Sequence, residues 1–150
     1  MAWIRQARPE DAARLAEIEV FNYRLNFYPI FRSDEFYFEE LTVPAIMENY
    51  QKNPELVQRT YVYDDGVVKG FLRINGTQVE KLFVDPVLQG QNIGAELLEY
   101  AIREWSVNHL WALEKNTKAI AFYERHGFQV TGEKMLEEDT TEYLIRLVKN

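Results

Sequence analysis

Hydrophobic residues along the chain recur at two spacings, which predict helices and strands in mixed order. The clearest helix begins near Asn92, because apolar residues then follow at helical intervals as far as Trp105. Three other segments have weaker helical signals. They are Pro9 to about Glu19, Asp34 or Glu35 to Tyr50 with Pro44 bending or dividing the helix, and Thr117 to Arg125 ending at Gly127.

Strands are predicted where β-branched and aromatic residues lie between turn residues. Asp64-Asp65-Gly66 predicts one hairpin turn, and Asn75-Gly76 predicts a type I′ turn with both residues at positive φ. The expected strands are Trp3 to Ala7, Thr60 to Tyr63, Val67 to Ile74, Thr77 to Val84, Leu110 to Leu113, Phe128 to Lys134 and Glu142 to Val148.

The order of these elements indicates a single α/β domain. A meander of three strands and a final strand pair are antiparallel, whereas the strand, helix and strand around Ile93 to Leu113 form a parallel crossover. The expected fold is a mixed, mostly antiparallel central sheet of about seven strands, flanked on both faces by about four helices. At 150 residues, one compact core is the natural arrangement.

The segment from Phe21 to Phe38 holds eight Phe or Tyr residues and has no regular period. So many rings are expected to line a groove, cap a core or form a subunit contact, such as that of a homodimer. Ordinary core packing of two irregular helices explains them equally well.

Composition narrows the function. Lys and Arg number 17 against 24 Asp and Glu, so the net charge of −7 disfavours binding to nucleic acid and to anionic membranes and favours a cationic substrate. Cysteine is absent, and His109 and His126 have no suitable neighbours, so we expect no metal site. No stretch resembles a signal peptide or membrane span, so we expect a cytoplasmic location.

Two segments carry candidate chemistry. In the first, from Leu82 to Ala95, a strand leads through a glycine-containing loop into the strongest helix, where free N–H groups and the helix dipole favour a phosphate. An ordinary strand-to-helix turn is the alternative. In the second, from Asn116 to Phe128, the phenol of Tyr123 suits either core packing or catalysis, and His126 suits a helix C-terminus.

Together these segments resemble the Gcn5-related N-acetyltransferase (GNAT) family over roughly Val79 to Val148. Gln89-Gly90-Gln91-Asn92-Ile93-Gly94 resembles the family's pyrophosphate loop Q/R-x-x-G-x-G/A, and Asn116 to Phe128 resembles N-x-x-A-x-x-F-Y-x-x-x-G-F. Asn92 replaces a glycine of the family pattern. Since Asn tolerates positive φ better than other non-glycine residues, we expect the loop to keep its geometry.

The resemblance implies an enzyme that moves an acetyl group from acetyl-CoA, its co-substrate, directly to a primary amine without a covalent intermediate. It implies an acceptor-binding half at 1–78 and an acetyl-CoA-binding half at 79–150. Tyr123 is expected to protonate the leaving thiolate, and Asn116 to position the cofactor arm. The residues implied in cofactor binding are Leu82, Phe83, Val84, Gln89, Gly90, Gln91, Asn92, Ile93, Gly94, Ala95, Asn116 and Tyr123.

Glu80 is the candidate general base, provided that partial burial raises its pKa. The alternatives are a surface glutamate paired with Lys81 or a neighbour, and proton loss through ordered water. The acceptor is a small-molecule amine or a protein amino group, and acids beside the aromatic segment favour a cation. These acids are Asp34, Glu35, Glu39 and Glu40.

A non-catalytic acyl-CoA-binding or protein-interaction module is the alternative function. Dinucleotide binding fits less well, because that fold places its glycine-rich turn after the first strand.

Overall fold

The computed structural model describes residues 3–137 and 140–150, in which seven strands form one sheet. The strands run in the spatial order β1-β2-β3-β4-β5-β7-β6, and only β4 and β5 are parallel neighbours. The predicted mixed, mostly antiparallel sheet and the parallel crossover are therefore confirmed. The strands are β1 Ile4–Gln6, β2 Thr60–Asp64, β3 Val68–Asn75, β4 Gln78–Val84, β5 His109–Leu113, β6 Phe128–Leu136 and β7 Tyr143–Lys149.

Helices cover both faces of the sheet. The α-helices in the described ranges are α1 Ala12–Asn22, α2 Tyr28–Phe31, α3 Val43–Lys52, α4 Pro54–Gln58, α5 Ile93–Trp105 and α6 Thr117–Arg125. The short helices α2 and α4 add to the four predicted. Short 3₁₀ helices lie at Pro9–Asp11 and Pro86–Leu88. Within the same ranges, no helix is both long and apolar enough to cross a bilayer.

The predicted second helix is divided near Pro44. A π-helical segment, Glu35–Glu40, ends at Leu41, and α3 begins at Val43 with Pro44 in its first turn. The Thr42 side chain accepts a hydrogen bond from the Ala45 N–H at 3.3 Å. This N-cap and the proline favour a new helix start at this point.

The aromatic segment forms a small core of its own. After α1, the chain continues as a π-helix over Tyr23–Phe27. The spacing of apolar residues predicts α-helices and strands but not π-helices. Its rings surround a buried centre made by Val20, Tyr37 and Leu41. The core-packing interpretation therefore holds for most of the segment, while Phe38 on its surface is 51% exposed. A homodimer stays a prediction.

The second hairpin turn is displaced by one residue from its predicted position. Asn75 pairs with Gln78, so the loop is Gly76-Thr77, and of these residues only Gly76 has positive φ, at 62°. The prediction of positive φ at Asn75 was wrong, because Asn75 is the last residue of β3. The turn nevertheless joins β3 to β4 as expected.

Close packing fixes the start of α5 against the sheet. A Cβ added at Gly70 on β3 would lie 3.0 Å from the Phe83 carbonyl oxygen and 3.3 Å from Ile93 Cγ2. Only glycine allows strand β4 and helix α5 to approach β3 so closely. Beneath α5, the large core is formed by residues that include Leu72, Leu97 and Leu110.

The parallel strands β4 and β5 separate soon after they meet. In the described chain they pair only at Gln78 with His109 and at Val79 with Leu110. On the other side of β4, the register with β3 shifts so that Arg73 faces Lys81 whereas Ile74 faces Val79, which leaves Glu80 as the extra residue of a β-bulge. Because a bulge bends its strand, it helps to open the gap between β4 and β5.

Candidate functional site

A groove with a volume of 620 Å³ lies between the end of β4, the start of α5 and helix α6. This volume lies within the range of small-molecule and cofactor sites. The lining residues come from α1 and its π-helical extension (Asn22, Asn26, Phe27), from β4 (Leu82, Phe83, Val84), from the loop and start of α5 (Leu88, Gln89, Gly90, Asn92, Ile93, Gly94, Ala95), and from α6 and its N-cap (Asn116, Lys118, Ala119, Phe122, Tyr123, Arg125, His126).

The groove brings together nearly all of the residues predicted to bind the cofactor. Of those residues, only Gln91 does not line it, and Gln91 is exposed in the loop. Glu80, the predicted base, also lies outside the lining. Contact of the other residues with a cofactor stays a prediction.

The backbone of β4 presents hydrogen-bonding groups to the groove. The Asp85 N–H donates to the Lys69 carbonyl at 2.9 Å, and an antiparallel ladder alternates in direction from one residue to the next. Phe83 therefore pairs with β3, whereas the N–H and C=O groups of Leu82 and Val84 point into the gap. Leu82 and the N–H of Val84 can offer backbone groups to a ligand, and Phe83 contributes its ring. The Val84 carbonyl already accepts from Asn22 Nδ2 at 2.8 Å.

The loop before α5 has a backbone geometry that suits an anion. Asn92 has φ 67° and ψ 12°, so it adopts the left-handed conformation expected of it, and Gly90 has φ 87°. The first bond of α5 runs from the Glu96 N–H to the Asn92 carbonyl at 3.1 Å. The preceding N–H groups, on Ile93 to Ala95, have no partner within the helix and carry the positive end of its dipole.

The α6 side of the groove carries the phenol. Asn116 is the N-cap of α6, since its Oδ1 accepts from the Ala119 N–H at 3.2 Å. The Tyr123 ring makes edge contacts with Phe122 and Phe128, with centroids 5.3 Å and 5.9 Å away. Burial raises the pKa of the Tyr123 hydroxyl well above its usual value, and no other described residue hydrogen-bonds to that hydroxyl. The groove thus holds a protonated phenol.

The expectation of a raised pKa at Glu80 was wrong. Its Oε2 accepts hydrogen bonds from Arg59 Nη1 and Arg73 Nε, each at 2.8 Å. Burial alone would raise the pKa of this carboxyl, but the two guanidinium groups hold it below its usual value. The paired-glutamate alternative is correct, with arginines rather than Lys81 as partners, since Lys81 pairs with Glu19 at 3.0 Å.

Sequence reasoning missed the contribution of the first half of the chain to the groove. Asn22, Asn26 and Phe27 reach it from α1 and the π-helix that follows. One signal was available, because Asn22 follows Ile18 at helical spacing and places a polar residue on an apolar stripe. The cations Lys118 and Arg125 occupy variable positions of the second motif, so its pattern did not identify them.

Comparison with known proteins agrees with this geometry. The family profile of the acetyltransferase (GNAT) domain matches residues 57–130. The peptidyl-lysine N-acetyltransferase YjaB of Salmonella typhimurium is 34% identical over 85 residues, which are 57% of this chain and 59% of that protein. The match thus spans less than two thirds of the relative.

Solved structures share the fold over nearly the whole chain. The crystal structure of an N-acetyltransferase from Staphylococcus aureus Mu50 has a TM-score of 0.79 at 17% identity, covering 98% of this chain and 100% of that one. The PaiA N-acetyltransferase of Thermoplasma acidophilum, in complex with coenzyme A, has a TM-score of 0.64 at 19% identity, covering 95% and 96%.

The fold is that of solved N-acetyltransferase structures. Residues 57–130 match the profile of the GNAT acetyltransferase domain, so the resemblance to this family is confirmed.

Proposed function

We propose that this chain is an N-acetyltransferase that moves an acetyl group from acetyl-CoA directly to a primary amine, as a single domain over residues 1–150. In this proposal residues 1–78 bind the acceptor and residues 79–150 bind acetyl-CoA, although Asn22, Asn26 and Phe27 also reach the cofactor groove. One observation carries the proposal: the exposed backbone of β4, the N-terminus of α5 and the Tyr123 phenol line one groove.

The groove has a suitable partner for each chemical part of acetyl-CoA. The unpaired N–H groups at the start of α5 suit the pyrophosphate, and Gly90 leaves the backbone open beside them. The backbone of Leu82 and Val84 suits the amides of the pantetheine arm, which resembles a peptide. Asn116, whose Oδ1 caps α6, has its Nδ2 left to donate to that arm.

Tyr123 is the proposed general acid. Transfer forms a bond between the amine nitrogen and the acyl carbon and breaks the bond between carbon and sulfur, so the departing thiolate needs a proton. The Tyr123 hydroxyl supplies this proton and is then reprotonated by solvent. Solvent also takes up the protons that the amine releases. The hydroxyl carries its proton throughout the physiological pH range, as any tyrosine does, and burial raises the pKa of Tyr123 further.

We propose that water, rather than Glu80, accepts the proton of the amine. The carboxylate of Glu80 is held by Arg59 and Arg73 and lies outside the groove lining. A carboxylate whose pKa is lowered is a weaker base than usual.

For the acceptor, we propose a lysine side chain of a protein. The relative in Salmonella typhimurium is named as a peptidyl-lysine acetyltransferase. The chain's negative net charge and the exposed acids Glu35, Glu39 and Glu40 are suited to a cationic partner. Because the negative charge suits any cationic amine, the preference for a peptide rests on this relative: a lysine-containing peptide should be acetylated faster than a small polyamine at equal concentration.

Thermal unfolding with acetyl-CoA, and with NAD as the control ligand, tests cofactor binding. At 100 times the dissociation constant, a native-state ligand adds about 2.7 kcal/mol, so acetyl-CoA should raise the melting temperature by several degrees and NAD should not. If neither ligand raises it at millimolar concentration, the proposal fails.

Release of free CoA thiol, with a lysine peptide as acceptor, tests catalysis. Tyr123→Phe should lose at least about tenfold in kcat while binding acetyl-CoA normally, because it lacks only the acidic proton. Tyr61→Phe is the matched control, since Tyr61 is 8% exposed in the core and does not line the groove. A wild-type chain that binds acetyl-CoA but acetylates no amine would instead support the non-catalytic module.

A further inference from the structure

One buried carboxamide from α1 reaches the cofactor side of the molecule. Asn22 is 2% exposed, and its Nδ2 donates to the carbonyl of Ile18 on its own helix and to the carbonyl of Val84 on β4, both at 2.8 Å. Since both partners of Nδ2 are carbonyl oxygens, the reverse orientation of the amide is excluded. The contacts of Nδ2 therefore fix the position of Oδ1.

The Oδ1 atom of Asn22 has only weak partners. Asn26 Nδ2 lies 3.3 Å away and Gln89 Nε2 lies 3.5 Å away, both beyond the usual range for a hydrogen bond from N–H to oxygen. Both donors belong to side chains that line the groove with Asn22. An incoming N–H group can replace them at little cost, since each remains free to bond to water.

The site also lies where a strand-like ligand would run. The carbonyl of Val84 points into the gap between β4 and β5, and Asn22 Nδ2 holds that carbonyl. The Asn22 side chain therefore extends the edge of β4 by one acceptor, Oδ1, located beside Gln89 at the start of the loop before α5. This edge connects the loop to the part of the groove that contains Tyr123.

We infer that Asn22 binds acetyl-CoA through its pantetheine arm: Oδ1 accepts an amide N–H of the arm while Nδ2 holds the Val84 carbonyl in place. This inference rests on the proposed function. It assigns a cofactor-binding residue to the half of the chain proposed to bind the acceptor. Loss of Asn22 should then weaken binding of the pantetheine arm and leave binding of the nucleotide end, at the α5 loop, unchanged.

The test compares two ligands on three proteins by calorimetry. The ligands are CoA and adenosine 3′,5′-bisphosphate, which lacks the pantetheine arm. The proteins are wild type, Asn22→Leu, which keeps the branched shape without polar atoms, and the control Thr60→Val. Thr60 is fully buried, donates to the Leu56 carbonyl at 2.7 Å and does not line the groove, so its variant loses a buried hydrogen bond elsewhere.

We expect Asn22→Leu to raise the dissociation constant of CoA about tenfold and to leave that of the bisphosphate within about twofold of wild type. Thr60→Val should change neither constant. If Asn22→Leu weakens the binding of both ligands equally, Asn22 has a purely structural role and the inference fails. Unchanged dissociation constants for both ligands would also overturn it. A wild-type chain that binds no CoA would overturn the proposed function itself.

A measurement on the wild-type protein decides the matter if Asn22→Leu does not fold. In nitrogen-15-labelled protein, the buried Asn22 side-chain amide gives resonances protected from exchange. CoA should shift them and the bisphosphate should not. Identical spectra with both ligands would refute the inference.

Discussion

The ion pairs of Glu80 provide a sharp test of whether this residue serves structure or catalysis. Glu80→Gln keeps the shape of the side chain and removes its charge. In the wild-type chain one oxygen, Oε2, accepts from Arg59 Nη1 and Arg73 Nε at 2.8 Å each. Arg73 is buried at 6% exposure, so it cannot replace this partner with water.

The expected cost follows from these two bonds. A hydrogen bond to a charged group contributes roughly 1 kcal/mol more than a neutral one, so two of them amount to about 2 kcal/mol. The Glu80 side chain is 29% exposed, which reduces the figure to between about 1 and 2 kcal/mol. For a domain of this size, the melting temperature should fall by about 4 °C.

Unfolding as a function of pH tests the sign of the effect. Because the folded pKa of Glu80 lies below its unfolded value, its contribution is fully present above the unfolded pKa and is lost as pH falls through the folded one. The stability gap between wild type and Glu80→Gln should be constant near neutrality and should narrow in acid. Glu133→Gln is the control, since Glu133 pairs with Arg146 on the surface at 3.3 Å and should show no gap.

Two results would refute this reasoning. One is an unchanged melting temperature for Glu80→Gln at pH 7, and the other is a gap that does not narrow in acid. A structural role also predicts that kcat and its pH profile stay within about threefold of wild type, since a lost general base typically costs 10²–10⁴-fold.

Two further substitutions test the packing around the site. Tyr50→Phe should lower the free energy of unfolding by about 1–3 kcal/mol, because the buried Tyr50 hydroxyl donates to Glu19 Oε1 at 2.7 Å, and urea denaturation measures the loss. Gly70→Ala should cost about 1–3 kcal/mol in the same assay, because its Cβ would meet the Phe83 carbonyl oxygen at 3.0 Å. A change below 0.5 kcal/mol, taken here as roughly the limit for an ordinary surface substitution, would contradict either prediction.

The sequence predicts the fold well wherever a local signal agrees with the global structure. The apolar spacing from Ile93 to Trp105 defines α5, and the glycines Gly66, Gly76 and Gly127 mark chain reversals that the structure contains. These signals depend on residues close together in the chain. The π-helix at Tyr23–Phe27 has no such signal, because ring packing around Tyr37 stabilises it.

The sequence predicts the parts of the candidate site that lie within one local motif. It does not predict contacts between residues that are far apart in the chain. The loop with Asn92 and the helix with Tyr123 line the groove as their motifs suggest. Glu80 shows the limit, since its nearest sequence neighbour of opposite charge, Lys81, is not its partner. A bulge turns Glu80 toward Arg59 and Arg73, and these residues lower its pKa. The local sequence does not predict this lowered pKa.

The separation of β4 from β5 has a mechanical consequence. It divides the sheet into a four-stranded and a three-stranded plate, which in the described chain share only the pairs Gln78 with His109 and Val79 with Leu110. The core beneath α5 is the main remaining link between the two plates. A peptide-like ligand wedged along Leu82 and Val84 would act as an additional strand between the plates and stiffen the molecule across its width.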